Sequence, residues 1–292
     1  MTAIYKSEAG GERILARYRE SLRAWPVAAE QLRVPTREGE TFVVASGRAD
    51  APPLVLLHGS SANASAWLGD IASWARDFRV YAVDMVGEPG LSAPSRPRLD
   101  SEEVALWLDD VLDGLGLART AMVGMSLGGW VALDYAVRRP GRVERLALLC
   151  PGGIGPQRFG FLWKLLPLRL FGRRGLRRSA AVVTGLRAQR FAPVLDTVVL
   201  IAENFRPRTE RLPVFTDEQL RGLTIPMLVV VGGRDVMFDS AATARRVREC
   251  VAHATVRLLP ETGHAILEQT EPVGEFLRAG IAVPEGVQLE VR

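Results

Sequence analysis

Residues 121–129 read AMVGMSLGG, an apolar run that leads into a glycine-rich turn around a serine. Gly124, Ser126 and Gly128 form a G-x-S-x-G motif, and a helical pattern begins at Leu127. A serine on a sharp strand-to-helix turn adopts a strained backbone that lifts its hydroxyl clear of the sheet. Glycines are expected on either side because side chains there would collide across the turn. The alternative interpretation is a turn that merely connects a strand to a helix.

Short apolar runs recur on both sides of this motif. Runs without alternation are typical of strands buried on both faces of a parallel sheet, and helical patterns separate most of them. The predicted strands are 54–57, 80–83, 121–123, 146–149, 227–231 and 256–259, and the predicted helices are 64–75, 101–115, 127–138, 240–251 and 270–281. A helix at 14–25 and a hairpin of 31–35 with 40–46 precede them. The sequence therefore predicts an α/β fold with a mostly parallel, doubly wound sheet.

The chain between residues 150 and 227 interrupts this alternation and is far too long for an ordinary loop. It contains an apolar helical piece at 159–171, interrupted by Pro167, and a second helical piece at 179–191. We interpret 151–217 as an inserted helical cap, and 1–150 with 218–292 as the core. From residue 151 to 195 there are nine Lys or Arg and no Asp or Glu, so the net charge of +4 originates in this segment.

Composition argues against several classes of protein. The two cysteines, Cys150 and Cys250, lack the spacing of a zinc site or a disulfide framework and are expected to be buried apolar residues. No nucleic-acid motif accompanies the modest positive charge. The N-terminus lacks the apolar core of a signal peptide, and no window has the length of a membrane span. We therefore expect a cytoplasmic protein that binds no nucleic acid.

A serine hydroxyl is a poor nucleophile without a neighbouring base, and the chain has three histidines. His264 follows the last predicted strand, where a loop reaches the C-terminal edge of the sheet, and is the predicted base. His253 is expected at the surface. His58 is expected to be structural and to hold the loop that follows its own strand.

Asp235 follows the predicted strand 227–231 and is the predicted acid that orients the imidazole of His264. Taken alone, an Asp after glycines is more typical of a turn or a helix cap. The other candidate, Asp84, follows an earlier strand and fits the order poorly. Ser126, Asp235 and His264 each follow a separate strand, in that order along the chain. This arrangement predicts a Ser-His-Asp catalytic triad.

Acyl transfer also requires donors for the negatively charged oxygen that develops on the substrate. Backbone N–H groups are suited to this role because they are held in place before the charge appears. The N–H of Leu127, directly after the nucleophile, and that of Ser60 in the loop after strand 54–57 are the predicted oxyanion-hole donors. Ser61, Trp163 and Phe238 are predicted to contact substrate.

From about residue 31 to 281 the sequence resembles the α/β-hydrolase superfamily. The motifs behind this resemblance are the LLHG of residues 56–59, similar to the oxyanion loop; Trp67; Asp84–Ser92, similar to D-x-x-G-x-G-x-S with one extra residue between the glycines; and Gly124–Gly128, similar to the nucleophile elbow. Asp235 and His264 match the acid and base positions. The insertion lies where this family carries its lid.

The resemblance implies a serine hydrolase that cleaves a small-molecule carboxylic ester through an acyl-enzyme, without a metal or organic cofactor. Members that attack with Asp, the haloalkane dehalogenases and epoxide hydrolases, are excluded by Ser126. C–C bond hydrolases, thioesterases and lactonases that use the same triad remain alternatives. A non-catalytic ligand-binding receptor on the same scaffold is the alternative from another class. The sequence does not predict the oligomeric state.

The basic cap suggests a second hypothesis. Its cations, including Arg169, Arg173, Arg174, Arg177 and Arg178, would attract anionic substrates, an acidic carrier protein or a membrane surface. Its apolar residues at 159–165 would line an acyl pocket or touch lipid. The simpler interpretation is a solvated basic helix face whose apolar side covers the core.

Overall fold

The computed structural model describes residues 4–281, without the side chains of Leu162, Lys164 and Arg169. The strands are β1 (Ala29–Thr36), β2 (Gly39–Ser46), β3 (Pro53–Leu57), β4 (Arg79–Val83), β5 (Thr120–Met125), β6 (Val143–Leu149), β7 (Met227–Gly232) and β8 (Thr255–Leu259). They form one eight-stranded sheet in the order β1-β2-β4-β3-β5-β6-β7-β8. β2 pairs antiparallel with β1 and β4, and the other neighbours are parallel. The predicted mostly parallel α/β fold is confirmed.

The α-helices are α1 (Glu8–Arg23), α2 (Ile71–Trp74), α3 (Glu103–Gly114), α4 (Leu127–Arg138), α5 (Phe161–Leu165), α6 (Gly172–Thr184), α7 (Ala192–Asn204), α8 (Asp217–Arg221), α9 (Ser240–Cys250) and α10 (Thr270–Arg278). The helix predicted at 64–75 is divided into a 3-10 turn, Ala64–Trp67, and α2. Gly69 lies in the break, consistent with the low helix propensity of glycine.

Both faces of the central sheet are covered, which explains why the strand sequences do not alternate. In β3, Leu54 and Leu56 pack in the cluster that includes Trp67 and Trp74. Val55 and Leu57 pack on the opposite face, in the cluster that includes residues of α3 and α4. Successive side chains of a strand point to opposite faces, so a strand covered on both sides is apolar at every position.

Helices occupy the long stretch between β6 and β7, where a cap was predicted. The prediction of a helix at 179–191 is wrong in its bounds. α6 ends at Thr184 because Gly185 takes a left-handed φ of 74°, and α7 begins at Ala192 with Pro193 in its first turn. α8 begins at Asp217, so the proposed boundary of the cap at residue 217 falls on the first residue of a core-side helix. The division into domains stays a prediction.

The N-terminal helix connects the cap to the sheet. Ile14 of α1 packs with Ile201 and Phe205 at the end of α7, and Arg13 donates a hydrogen bond to Asn204 Oδ1 at 2.6 Å. One turn further along α1, the Tyr18 hydroxyl donates to Asp84 Oδ1 at 2.8 Å. The helix was predicted from its periodicity, whereas its partners were not.

Both cysteines are buried, as predicted. Within residues 4–281 no helix is both long enough and apolar enough to span a bilayer.

The segment predicted to be the cap, 151–217, meets the predicted core at a pair of glycines. A Cβ atom on Gly263 would lie 2.6 Å from the Cα of Gly185, the residue that ends α6. The N–H of Ala265 donates to the carbonyl of Thr184 at 2.8 Å across the same contact. Gly263 and Ala265 flank His264. This contact therefore holds the end of α6 against the loop that carries the predicted base.

We predict that Gly185→Ala destabilises the protein by about 1–3 kcal/mol more than Gly116→Ala, because overpacking adds to the cost of the left-handed backbone. Gly116 is the matched control, since it has a similar φ of 70° but open space around it. The free energy of unfolding from urea titration measures the difference. Equal losses in the two variants would contradict the close contact at Gly185.

Candidate active site

Ser126 occupies a strained turn between β5 and α4. Its backbone has φ 52° and ψ −110°, a combination that non-glycine residues rarely adopt. A hydrogen bond from its N–H to Leu149 O at 2.9 Å secures the turn to β6. A Cβ on Gly124 would overlap the carbonyl of Gly128 across the turn, as predicted. Gly128 is required for a different reason, because its Cβ would overlap the Leu57 carbonyl at the end of β3.

Three loops bring Ser126, His264 and Asp235 together at the C-terminal edge of the sheet. Nε2 of His264 lies 3.0 Å from Oγ of Ser126. Nδ1 of the same ring lies 2.8 Å from Oδ2 of Asp235. Both distances are within hydrogen-bonding range, so the three side chains form a continuous chain of hydrogen bonds.

The loop after β7 holds the carboxylate of Asp235 in one orientation. Its Oδ1 accepts hydrogen bonds from the N–H groups of Met237, at 2.7 Å, and Phe238, at 3.1 Å, and its side chain is 1% exposed. With Oδ1 occupied, Oδ2 is directed to the imidazole. The ring of Phe238 packs on that of His264, with 5.2 Å between the ring centroids. Phe238, a predicted substrate contact, therefore lies beside the predicted base.

The loop after β3 passes next to the nucleophile. A Cβ on Gly59 would lie 3.5 Å from the Cβ of Ser126, so Ser60 follows directly on a residue in contact with the elbow. Leu127 is the first residue of α4, and the first N–H groups of a helix have no partner within it. Two N–H groups of the predicted oxyanion hole thus lie on segments that meet at Ser126.

His58 and Asp84 contact the loop after β3 and help to hold it in place. The buried ring of His58 accepts a hydrogen bond from the N–H of Met85 at 3.0 Å and contacts the Gly59 carbonyl at 2.8 Å. Burial lowers the pKa of His58 to about 4, which keeps the ring neutral. The predicted structural role of His58 is confirmed. His253 is exposed and contacts Ile225 O, also as predicted.

Asp84, the alternative acid, does not contact His264. Its Oδ1 accepts from the N–H of Ala64 at 2.8 Å, and its Oδ2 accepts from the N–H of Leu91 at 2.8 Å. Burial raises the pKa of Asp84 to about 6, although these hydrogen bonds oppose the shift. Its carboxyl group therefore connects two loops and does not orient the base.

The other two predicted substrate contacts are Trp163 and Ser61. Trp163 is 77% exposed on the cap surface. Ser61 lies in the loop after β3 with its N–H bound to the carboxylate of Glu88. A small cavity beside Leu127 is lined by Val86, Glu88, Leu99, Trp107, Val131 and Arg208 among others, and by none of the three triad residues. Sequence reasoning did not identify Glu88 or Arg208, and the only signal was the extra residue between Gly87 and Gly90.

Comparisons with known proteins agree with this geometry. Residues 54–279 match the profile of the alpha/beta hydrolase family. Carboxylesterase YbfK of Bacillus subtilis (strain 168) is 32% identical over 284 residues, which cover 93% of this chain and 95% of that protein. The uncharacterized carboxylesterase nap of the same organism is 34% identical over 280 residues, 91% of each protein. A crystal structure of naproxen esterase (carboxylesterase NP) from Bacillus subtilis is 32% identical, with a TM-score of 0.80 over 94% of this chain and 99% of that one.

The profile covers well over half of the chain, and the relatives match it almost from end to end. The eight-stranded, mostly parallel sheet is consistent with those matches. The chain belongs to the alpha/beta hydrolase family, in which it is a carboxylesterase-like member.

Proposed function

We propose that the protein is a serine carboxylesterase with Ser126 as nucleophile, His264 as general base and Asp235 as the acid that orients the imidazole. Carboxylesterase relatives over more than nine-tenths of the chain support hydrolysis of ester bonds. The observation that supports the individual roles is the hydrogen-bonded chain from Asp235 through His264 to Ser126, with distances of 2.8 and 3.0 Å.

The proposed reaction has two steps. Oγ of Ser126 attacks the ester carbonyl carbon while Nε2 of His264 takes its proton. The carbonyl oxygen becomes an oxyanion that accepts hydrogen bonds from the N–H groups of Leu127 and Ser60. The alcohol leaves with the proton from His264, and water then hydrolyses the acyl-enzyme by the same route. Asp235 stabilises the imidazolium that forms in each step.

The carboxylesterase relatives make carboxylic esters the first substrates to test, in a panel of p-nitrophenyl esters. Thioesters and lactones would follow the same steps, so they belong in the substrate panel. An ester of naproxen also belongs there, since one relative is a naproxen esterase. A C–C bond hydrolase would turn over a vinylogous diketone acid faster than the esters of the panel. A non-catalytic ligand-binding receptor would not react with a fluorophosphonate probe.

Replacing Ser126 by Ala should lower kcat for p-nitrophenyl esters by about 10⁴-fold or more while binding is largely retained, because the nucleophile is lost. The assay is steady-state hydrolysis together with labelling by a fluorophosphonate. Ser21→Ala is the control and should behave as the wild type, because the Ser21 hydroxyl donates to the Arg17 carbonyl of its own helix α1. Full turnover or labelling in Ser126→Ala would rule out the proposed nucleophile.

Asp235→Asn should reduce kcat by about 10²–10⁴-fold, because the amide no longer selects the productive tautomer of His264. Asp239→Asn provides a matched control. Asp239 lies four residues further on, where its carboxylate caps α9 and does not contact His264. Steady-state rates of the two folded variants test this. Similar rates for both would show that Asp235 does not orient the base.

A second proposal concerns what the outer surface of the cap binds. Three large apolar residues are exposed here: Trp163 at 77%, Leu170 at 86% and Phe171 at 61%. They lie close in sequence to Arg174 and Arg178, which are exposed cations of α6. Large apolar side chains beside cations are typical of surfaces that lie on anionic lipid. The like charges around the patch disfavour contact with a second copy of the chain.

The charge of this surface is partly neutralised. Arg173 lies 3.8 Å from Glu203, and Arg177 pairs with Asp196, both acids of α7. Exposed pairs of this kind are weak. We therefore propose that the apolar residues of 163–171 dock on an anionic lipid surface, with the cations steering the approach.

Vesicles of phosphatidylglycerol should sediment the protein, and vesicles of phosphatidylcholine should do so much less. The double variant Trp163→Ser with Leu170→Ser should lose most of this binding. Leu258→Ser is the control, since Leu258 is an exposed apolar residue of β8, and it should bind as the wild type. Equal sedimentation of all three proteins would overturn the proposal. Binding to polyglutamate without binding to vesicles would also overturn it, in favour of an acidic protein partner.

A further inference from the structure

The segment Asp84–Ser92 is one residue longer than the family pattern, and this longer segment contacts the loop after β3. The additional position lies between Gly87 and Gly90, where Glu88 and Pro89 occur. Glu88 is only 1% exposed although it carries a carboxyl group. Burial of such a group is costly without compensating contacts, so the contacts of Glu88 indicate its role.

Glu88 holds the loop that follows β3. Its Oε2 accepts a hydrogen bond from the N–H of Ser61 at 2.6 Å. Ser61 has a φ of 57°, in the left-handed region that side chains disfavour. A short hydrogen bond to a carboxylate stabilises this conformation. Because Ser61 directly follows Ser60, the bond also sets the orientation of the proposed oxyanion donor.

Two other contacts from the same segment support the loop further along. The side-chain amide of Asn63 donates to Pro89 O at 2.9 Å. The N–H of Ala64 donates to Asp84 Oδ1 at 2.8 Å. Of the three anchors, the one made by Glu88 lies closest in sequence to Ser60.

The second carboxyl oxygen of Glu88, Oε1, faces the segment between α7 and α8. Among the described residues its Oε1 has no hydrogen-bond partner, and Nε of Arg208 lies 3.9 Å away. Arg208 lies between α7 and α8, is 9% exposed, and donates to Pro97 O at 3.0 Å. The carboxyl group of Glu88 therefore lies between the oxyanion loop and the end of the cap.

We propose that Glu88 is a positioning residue of the oxyanion hole. Its carboxylate orients the Ser60–Ser61 turn so that the Ser60 N–H points to the reacting carbonyl oxygen, and Arg208 links this orientation to the cap. The proposal rests on the serine esterase function proposed above. An oxyanion donor lowers the barrier only if it is held in place before the charge develops, and Glu88 supplies that restraint.

The position of Glu88 also makes the restraint sensitive to pH. Burial raises the pKa of Glu88 to about 7, while the Ser61 N–H, Arg208 and Arg96 act in the opposite direction. Arg208 and Arg96 are the cations that face it, and Glu210 lies beyond Arg208. The folded pKa is above the ordinary value, so the carboxylate, the stronger acceptor, is lost as the pH falls through about 7. The ratio of wild-type kcat to Glu88→Gln kcat should therefore decrease below that pH.

The central test compares Glu88→Ala, Glu88→Gln and the wild type, with kcat divided by the number of active sites titrated with a p-nitrophenyl phosphonate. We expect Glu88→Ala to lower kcat per site by about 10–10²-fold, somewhat less than the loss of a whole donor. KM should change little. The affinity for a trifluoromethyl ketone, which mimics the oxyanion, should fall in parallel with kcat. Glu88→Gln keeps an acceptor for Ser61 and should lose about 10-fold or less.

Asp134→Asn is the matched control. Asp134 is also a buried carboxyl group whose pKa burial raises, and it pairs with Arg138 at 2.9 Å, but it lies in the middle of α4. Its replacement should lower stability and leave kcat per site unchanged. Should both Glu88 variants also lose only titratable sites, with kcat per site and inhibitor affinity intact, Glu88 would be merely structural and the proposal would fail.

The link to the cap has its own test. Arg208→Met should lower kcat per site in the wild type and should have no further effect in Glu88→Ala, because Arg208 acts through Glu88. Independent, additive losses would overturn that link. Full activity in Ser126→Ala would remove the proposed function itself, and this outcome is separate from any result at Glu88.

Discussion

The close approach of two backbones at Gly128 is the constraint on which the site depends. The first turn of α4 lies so near the end of β3 that a single methyl group at Gly128 would overlap the Leu57 carbonyl. This contact places the helix N-terminus, the strained Ser126 and the loop after β3 within a few atoms of one another. Ser126 keeps a positive φ in this turn, and the hydrogen bond from its N–H to Leu149 O helps to hold the strained backbone in place.

Buried carboxyl groups hold the loops around this point. One carboxylate oxygen of Asp235 accepts hydrogen bonds from two backbone N–H groups of its own turn, and the other oxygen contacts His264. Asp84 connects the loop after β3 to the loop after β4 and to Tyr18 of α1. Glu88 adds a third anchor at Ser61. In each case backbone N–H groups offset part of the cost of burying the acid, and the hydrogen bonds connect loops that have no regular secondary structure.

The cap is attached to the core at several places, and each attachment reaches a different part of the site. Gly185 packs on Gly263 beside His264. The end of α7 packs on α1, whose Tyr18 bonds Asp84 below the oxyanion loop. Arg208, on the way back to the sheet, lies against Glu88. The cap thus contacts the neighbours of His264 and the Glu88 side chain that holds Ser61, while its outer surface carries exposed apolar residues and cations.

The sequence by itself determined the fold class, the six parallel-sheet strands from 54 to 259 and the three candidate residues Ser126, Asp235 and His264. These follow from local patterns: an apolar run shows a strand covered on both faces, and a strand end marks the edge where functional loops meet. Only the tertiary structure decided that Trp163 lies at the surface, that Gly185 packs on Gly263, and that Glu88 contacts Ser61 and Arg208. Such contacts join residues far apart in the chain, and periodicity carries no information about which distant loops touch.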